Sequence, residues 1–181
     1  MRILTVDPGI RATGLAEHTG RKLTKAELIR PTDSTRYAPS PGFDGPDLPA
    51  IEAVCELAAQ WLIWRVRLLD YPPVSVIAFE WPTVYGDASE REEDPNDLLL
   101  LTAINLGILG HLRQAGITLP ARLVLARLWT KGTPKRIRQA RYLSKITPAE
   151  KAILDAIKPA GLRHNTIDAA NMGRVVTDAL G

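Results

Sequence analysis

The sequence predicts an α/β domain with a mixed five-stranded sheet and helices on both faces. Three short apolar runs separated by turn-forming residues open the chain, and two further strand patterns alternate with helical patterns after them. Strands and helices that alternate in this way pack as layers around one sheet. With 181 residues, 45% of them hydrophobic, the chain can bury one sizeable core, so we expect a single domain over residues 1–181.

The first three strands are predicted at Arg2 to Val6, Thr13 to His18 and Lys22 to Ile29. Pro-Gly and Thr-Gly pairs separate them, which favours a meander of antiparallel strands. Residues 30–49 are rich in proline and glycine, which sustain neither a sheet ladder nor a helix. We therefore expect a surface loop there.

The remaining elements are predicted from apolar spacing and from helix-start signals. The patterns used are helical spacing, an Asp94-Pro95 start, a Thr147-to-Glu150 capping box and short apolar runs. They predict helices over Pro49 to Leu69, Pro95 to Ala115, from Pro148 onward and over Thr166 to Leu180, with strands at Val74 to Phe79 and Arg122 to Leu128. No element is assigned to residues 129–146.

Cysteine content and hydropathy favour a cytoplasmic protein. Cys55 is the only cysteine, so no intramolecular disulfide and no cysteine-rich zinc site can form. The chain runs directly into a strand and shows no secretory signal pattern. The longest apolar stretch, Leu98 to Leu112, is interrupted by polar residues and is shorter than the roughly 20 residues of a membrane span. We expect no membrane partner.

Two acidic residues, Asp7 and Glu80, each follow a buried apolar strand and precede a proline-containing turn. If the Val74 strand lies parallel to the first strand, both carboxylates reach the same edge of the sheet, where ligands bind in open α/β folds. Asp7 has an alternative reading as a simple turn former. Glu80 directly follows buried residues and needs a partner.

A third acid, Asp168, is followed by two alanines that would allow the last helix to approach the sheet closely. His164, Asp168 and Asn171 are spaced so that they share one helical face. Two alternatives stay open: Asp168 as a first-turn acid in a helix capped by Asn165, and His164 as a polar residue at the helix start.

Three carboxylates brought close together repel one another, and a divalent cation would neutralise them. Oxygen ligands favour Mg²⁺ or Mn²⁺ over zinc. Two such ions about 4 Å apart can activate a water and stabilise the leaving oxygen of a phosphodiester. The acids therefore indicate an enzyme for metal-dependent phosphodiester hydrolysis.

Three segments resemble the motifs of RuvC-type Holliday-junction resolvases, which belong to the RNase H-like superfamily. They are ILTVDPGIRATGLA at the start, VIAFEWPTVYG around Glu80 and TIDAANMGRVVTDAL at the end of the chain. The resemblance implies an RNase H-like fold and catalytic, metal-binding roles for Asp7, Glu80 and Asp168. Asn171 stands where the family has a fourth acid. Some relatives use a histidine instead, a role that His164 can fill.

The segment from Arg122 to Lys145 is basic and contains no acidic residue. This asymmetry favours contact with a nucleic-acid backbone, and the alternative is a solvated basic face. The predicted nucleic-acid contacts are Arg127, Lys131, Lys135, Arg136, Arg138 and Arg141.

Two aromatic residues, Trp81 and Tyr85, follow Glu80. The resemblance implies that an aromatic side chain in this loop stacks on bases at a junction. The alternative is that Trp81 packs on the core and only Tyr85 is exposed. The acidic residues 87–97 are interpreted as a solvated loop that caps the following helix.

Together these features predict a Mg²⁺-dependent endonuclease that nicks branched DNA, with four-way junctions as the expected substrate. A homodimer is expected because a two-fold junction is cut symmetrically by paired sites, and Leu98 to Leu112 is the candidate interface. Two alternatives are an RNase H-like nuclease for structured RNA and a non-catalytic nucleic-acid-binding module. Actin-like and sugar-kinase ATPases need two such domains, for which 181 residues are too few.

Overall fold

The computed structural model contains one mixed sheet and describes residues 1–9, 12–30, 48–82 and 95–181, without the side chains of residues 95–97 and 127. The strands are β1 (Arg2–Asp7), β2 (Thr13–Thr19), β3 (Lys22–Ile29), β4 (Val74–Trp81) and β5 (Ala121–Leu125). Their spatial order is β3-β2-β1-β4-β5. The first three strands pair antiparallel, and β4 runs parallel to both β1 and β5. The predicted meander and the parallel placement of the Val74 strand are confirmed.

Six α-helices cover the sheet within the described ranges. They are α1 (Leu48–Val66), α2 (Pro95–Gln114), α3 (Ala126–Thr130), α4 (Lys135–Leu143), α5 (Pro148–Asp155) and α6 (Arg163–Leu180), and a short 3₁₀ turn (Ala160–Leu162) precedes α6. Among the helices described, none has the length and apolar character that crossing a bilayer would require.

Alternation along β1 explains why helices lie on both faces of the sheet. Leu4 and Val6 pack with α1 and α2 in one core. Ile3, which points to the opposite face, packs with Met172 and Val176 of α6. Successive side chains of a strand point to opposite faces, so a strand that is apolar throughout is covered on both sides. The predicted two-sided α/β architecture is confirmed.

The last predicted strand is too long. Its expected end at Leu128 is wrong, because β5 ends at Leu125 and α3 begins at the next residue. Ala126 and Trp129 are both buried and lie three residues apart, which is the spacing of one helical face. Burial of this pair therefore favours a helical turn where apolar content alone suggested a strand.

Two helix boundaries also differ from the prediction. Helix α1 ends at Val66 instead of Leu69, and the side chain of Arg2 donates a 2.7 Å hydrogen bond to the Arg65 carbonyl near that end. A carbonyl at a helix end needs such a partner. Helix α6 begins at Arg163, three residues before the predicted start.

The predicted capping box at the start of α5 is confirmed. The Thr147 side chain accepts a hydrogen bond from the Glu150 amide, and the Glu150 carboxylate accepts one from the Thr147 amide. The same carboxylate also accepts a 2.8 Å hydrogen bond from the Leu23 amide. One acidic residue therefore starts the helix and attaches it to β3.

A buried ionic cluster joins β1, β2 and α1. Arg2 donates a 3.0 Å hydrogen bond to Glu17, and Arg65 binds the other oxygen of the same carboxylate. Both guanidinium groups lie over the Tyr71 ring, at 5.1 and 5.3 Å. Burial opposes ionisation of Glu17, but the hydrogen bonds from Arg65 and Arg2 outweigh it and lower the pKa of this carboxyl.

Glu17→Gln would leave two buried arginines without their carboxylate. We expect a loss of about 3 to 5 kcal/mol in the free energy of unfolding at pH 7, measured by urea denaturation. Because the folded pKa lies below the unfolded value of about 4.3, the parent loses this contribution only as the pH falls through the folded pKa. The variant should lack that part of the acid transition. Asp178→Asn, which removes an exposed pair with Arg21, is the control and should cost no more than about 1 kcal/mol. An equal loss in both variants would contradict this account.

Candidate functional site

The ends of β1 and β4 place two carboxylates side by side. Asp7 is the last residue of β1, and Glu80 lies next to the end of β4. The two strands are parallel and in register, with Val6 opposite Phe79. The chain therefore delivers Asp7 and Glu80 at the same edge of the sheet, as the sequence predicts.

Helix α6 lies close against the sheet beside this edge. A Cβ atom at Gly14 would be 2.3 Å from the Asn165 carbonyl oxygen, so only glycine permits this approach. The Thr5 hydroxyl donates a 2.9 Å hydrogen bond to the Ala169 carbonyl, and Ala170 is fully buried. The predicted close packing of the alanine-containing turn is confirmed, and it brings Asp168 toward the strand ends.

A cavity of about 540 Å³ is lined by Asp7, Glu80 and Asp168. The cavity is also lined by the end of α3, the turn between α3 and α4 and the first residues of α4. The residues that contribute there are Thr130, Gly132, Thr133, Pro134, Lys135 and Arg138. The three acids predicted to act together thus share one cavity, and basic side chains face them.

Burial and the neighbouring acids shift the pKa of Asp7. Only 7% of this residue is exposed. Burial raises its pKa well above the usual range, and the adjacent Glu80 carboxyl, within hydrogen-bonding distance, and the charge of Asp168 raise it further. Lys135 opposes the shift to a smaller extent. In the described part of the chain, Asp7 has no ion-pair partner.

Asp168, in contrast, is already paired. Its Oδ2 atom lies 3.0 Å from Nζ of Lys135, and its Oδ1 atom accepts a 3.1 Å hydrogen bond from Arg138. The Asp168 residue is 2% exposed. Lys135 and Arg138 are both predicted to contact nucleic acid. The structure also places them against Asp168, a predicted catalytic acid.

Arg138 is held firmly at this position. Its guanidinium lies 4.3 Å from the centre of the Trp129 ring and also reaches the Thr133 carbonyl at 3.5 Å. Its side chain is 13% exposed, whereas that of Lys135 is 49% exposed. A stacked, largely buried guanidinium is a fixed cation, while the lysine can move into solvent.

The donors of the cavity fit a divalent ion, although the side chains are not yet arranged around one. Across the described ranges, no group of three or more His, Cys, Asp and Glu side chains is close enough to hold a metal ion. Asp168 points its oxygens at Lys135 and Arg138. Asp7, which is buried, and the half-buried Glu80 lie side by side and provide the oxygen ligands that Mg²⁺ or Mn²⁺ prefers.

His164 and Asn171 are not among the described residues that line the cavity. The Nδ1 atom of His164 lies 3.1 Å from the Gly161 carbonyl instead. Asn165 does line the cavity, and its amide donates a 2.6 Å hydrogen bond to the Ala12 carbonyl. The interpretation of Asn165 as a helix cap is wrong, because α6 begins before it and the capping position is Leu162.

Helix α4 divides the predicted nucleic-acid contacts between two faces. Lys135 and Arg138 face the cavity, whereas Arg136 and Arg141 line a shallow groove on the outer side. Lys131 is exposed in the turn before α4, where it has a positive φ of 51°. The sequence gives no assignment for this helix, so the division was not predictable.

Three other predicted contacts have different outcomes. Trp81 is half-buried at the end of β4, opposite Leu125. The Arg127 side chain and Tyr85 lie outside the described part of the chain, as do residues 87–94 of the acidic stretch. The stacking role of the two aromatic residues stays a prediction.

No protein-family model and no curated protein sequence matches the chain. Solved structures do match it. Thermus thermophilus RuvC in complex with a Holliday junction substrate aligns with a TM-score of 0.56 and 13% identity, covering 99% of this chain and 95% of that one. A second structure of T. thermophilus RuvC gives a TM-score of 0.57 and 13% identity, covering 99% and 96%. The chain has the RuvC fold.

A viral structure supports the same assignment. The fowlpox virus Holliday junction resolvase aligns with a TM-score of 0.54 and 17% identity over the full length of both chains. The predicted RNase H-like architecture is therefore confirmed. In this chain, the carboxylate cavity lies at the edge of the sheet where β1 and β4 end, beside α6.

Asp7→Asn should stabilise the metal-free protein. The raised pKa of Asp7 means that the folded state binds its proton more tightly than the unfolded state, so stability falls as the pH rises from the unfolded pKa toward the folded one. At pH 7 the neutral amide should therefore raise the Tm, by about 2 to 4 °C for each kcal/mol of stability gained. Thermal unfolding in EDTA measures this change.

Repeating the thermal unfolding in Mg²⁺ provides a second readout. The ion should raise the Tm of the parent and leave that of the variant nearly unchanged. Asp178→Asn, far from the cavity, should behave like the parent in both conditions. A lower Tm of Asp7→Asn in EDTA would contradict this view of the site.

Proposed function

We propose that this protein is a divalent-metal-dependent endonuclease that cuts branched DNA, with four-way junctions as its substrate. The observation that carries the proposal is the cavity in which Asp7, Glu80 and Asp168 face Lys135 and Arg138. The acids would bind a metal ion, and the fixed cation of Arg138 and the mobile cation of Lys135 would lie beside the phosphodiester. The RuvC fold, known from a structure with a Holliday junction substrate, supports the choice of branched DNA.

Asp7, Glu80 and Asp168 are the residues that would hold Mg²⁺ or Mn²⁺. When bound, such an ion supplies a Lewis acid that lowers the pKa of a water and stabilises the leaving oxygen. The Lys135 side chain, half exposed at the cavity, is placed to bind a non-bridging phosphate oxygen. His164 and Asn171, predicted as further site members, stay candidates on the same helix, and Asn165 lines the cavity in their stead.

The outer face of α4 provides contacts for flanking phosphates. Arg136 and Arg141 line its groove, and Lys131 lies in the preceding turn. Arg127 belongs to the same basic segment. Trp81 and Tyr85 are proposed to stack on bases near the cut. The DNA would thus lie across the cavity, with the basic segment on one side.

A homodimer would bring two such cavities to one junction. Helix α2 contributes Ile104, Ile108 and Leu112 to the core, while Leu99 and Leu106 remain 70% and 57% exposed. Exposed leucines on a helix that already packs on the core mark a surface for association. Paired sites related by two-fold symmetry would cut a junction in two equivalent strands.

A synthetic four-way junction incubated with the protein and Mg²⁺ should yield paired, symmetric nicks. Asp7→Asn should reduce the rate by at least about 10³-fold, because loss of a metal ligand removes several kcal/mol of transition-state stabilisation. Junction binding in EDTA should be unchanged. The control, Asp178→Asn, should cut like the parent.

Three other results would change the proposal. Equal cutting by Asp7→Asn would refute the assignment of the site. Binding without cutting in Mg²⁺ and Mn²⁺ would indicate a non-catalytic binding module. Faster cleavage of structured RNA than of the junction would indicate an RNA nuclease with the same chemistry.

Arg136→Gln and Arg141→Gln should weaken junction binding and its dependence on salt. Each lost phosphate contact lowers the slope of log K against log salt by about 0.9. Fluorescence anisotropy over a series of salt concentrations measures the slope. Lys25→Gln, on β3 at the opposite edge of the sheet from β5, is the matched control. An unchanged slope in both arginine variants would refute the outer face of α4 as a DNA contact.

A further inference from the structure

The two oxygens of Asp168 are bound by cations of different mobility. Oδ1 receives the hydrogen bond from Arg138, whose side chain is 13% exposed and stacked on Trp129. Oδ2 pairs with Lys135, whose side chain is 49% exposed. The lysine can leave its oxygen at little cost, whereas the arginine would have to give up its stacking and its carbonyl contact with Thr133.

Among the described residues that line the cavity, a second ion would have to share Asp168 with Arg138. Asn171 stands in place of the fourth acid and is not among the described residues that line the cavity. A fixed guanidinium within hydrogen-bonding distance of Asp168 would repel a second divalent ion at that oxygen. Of the described residues that line the cavity, Asp7, Glu80 and the Asp168 oxygen shared with Lys135 are then the carboxylates left for a metal.

We propose that the site holds a single divalent ion, bound by Asp7, Glu80 and Oδ2 of Asp168, and that Arg138 occupies the place of a second ion. This inference rests on the proposed function and refines it. Arg138 is then a positioning residue that keeps Asp168 oriented, and it supplies a permanent positive charge beside the phosphate. Lys135 competes with the ion for Oδ2 and leaves when the ion binds.

Counting Mn²⁺ ions tests the proposal without reference to cleavage. Isothermal titration calorimetry and electron paramagnetic resonance should find one Mn²⁺ per parent chain and two per chain of Arg138→Gln. Arg136→Gln removes the same charge from the outer face of α4 and should keep one ion. Arg138→Met, whose side chain still packs on Trp129, repeats the count should the glutamine variant fail to fold.

Lys135→Gln gives an independent readout. Removal of the competing ammonium should tighten binding of the single ion by roughly tenfold, with the stoichiometry unchanged. A decrease in affinity would overturn the role of Lys135 as a competitor. Circular dichroism of each variant confirms that it is folded.

The outcomes separate this inference from the proposed function. Two ions in the parent would overturn the single-ion site and leave the nuclease proposal standing. One ion in both the parent and the Arg138 variants would overturn the role of Arg138. Absence of Mn²⁺ binding by the parent would overturn both, because the acids would then hold no metal.

Discussion

The close approach of α6 to the sheet at Gly14 is the constraint on which the candidate site depends. The Asn165 carbonyl occupies the space that any side chain at this position would need. The Thr5 hydroxyl and the buried Ala169 extend the contact along β1. A larger residue at position 14 would force the helix away from the sheet and carry Asp168 with it. The glycine of the opening motif thus acts through packing, at the position on β2 that pairs with Asp7.

The two ends of β1 differ in whether a buried carboxylate has cationic partners. Near Arg2, the Glu17 carboxylate is matched by two arginines inside the fold, and this cluster stabilises the packing of β1, β2 and α1. At the other end, Asp7 lies beside Glu80 without an ion-pair partner in the described part of the chain, and its pKa is raised. A buried charge without a partner of opposite sign destabilises the folded state. Such a charge is retained where binding of a cation can neutralise it. The stabilising ionic cluster and the candidate functional site therefore lie at opposite ends of one strand.

The basic segment shows why composition alone gives an incomplete picture of a site. Its charge and its lack of acidic residues are evident in the sequence. Helix α4 then directs Lys135 and Arg138 into the cavity and leaves Arg136 and Arg141 on the outside. Because the sequence predicts no helix there, it indicates the sign of the charge but not which side chains face the cavity. The inner face of α4 lines the carboxylate cavity, where Lys135 and Arg138 pair with Asp168.

The sequence by itself determined the layered architecture, the parallel placement of β4 and the shared position of Asp7 and Glu80. These follow from local rules, since strand burial and turn chemistry fix where each strand ends. Only the tertiary structure decided that α6 begins early, that Asn165 and not His164 lines the cavity, and that Arg138 binds Asp168. Such contacts join residues far apart in the chain, and their geometry depends on how closely whole elements pack, which no local pattern of residues records.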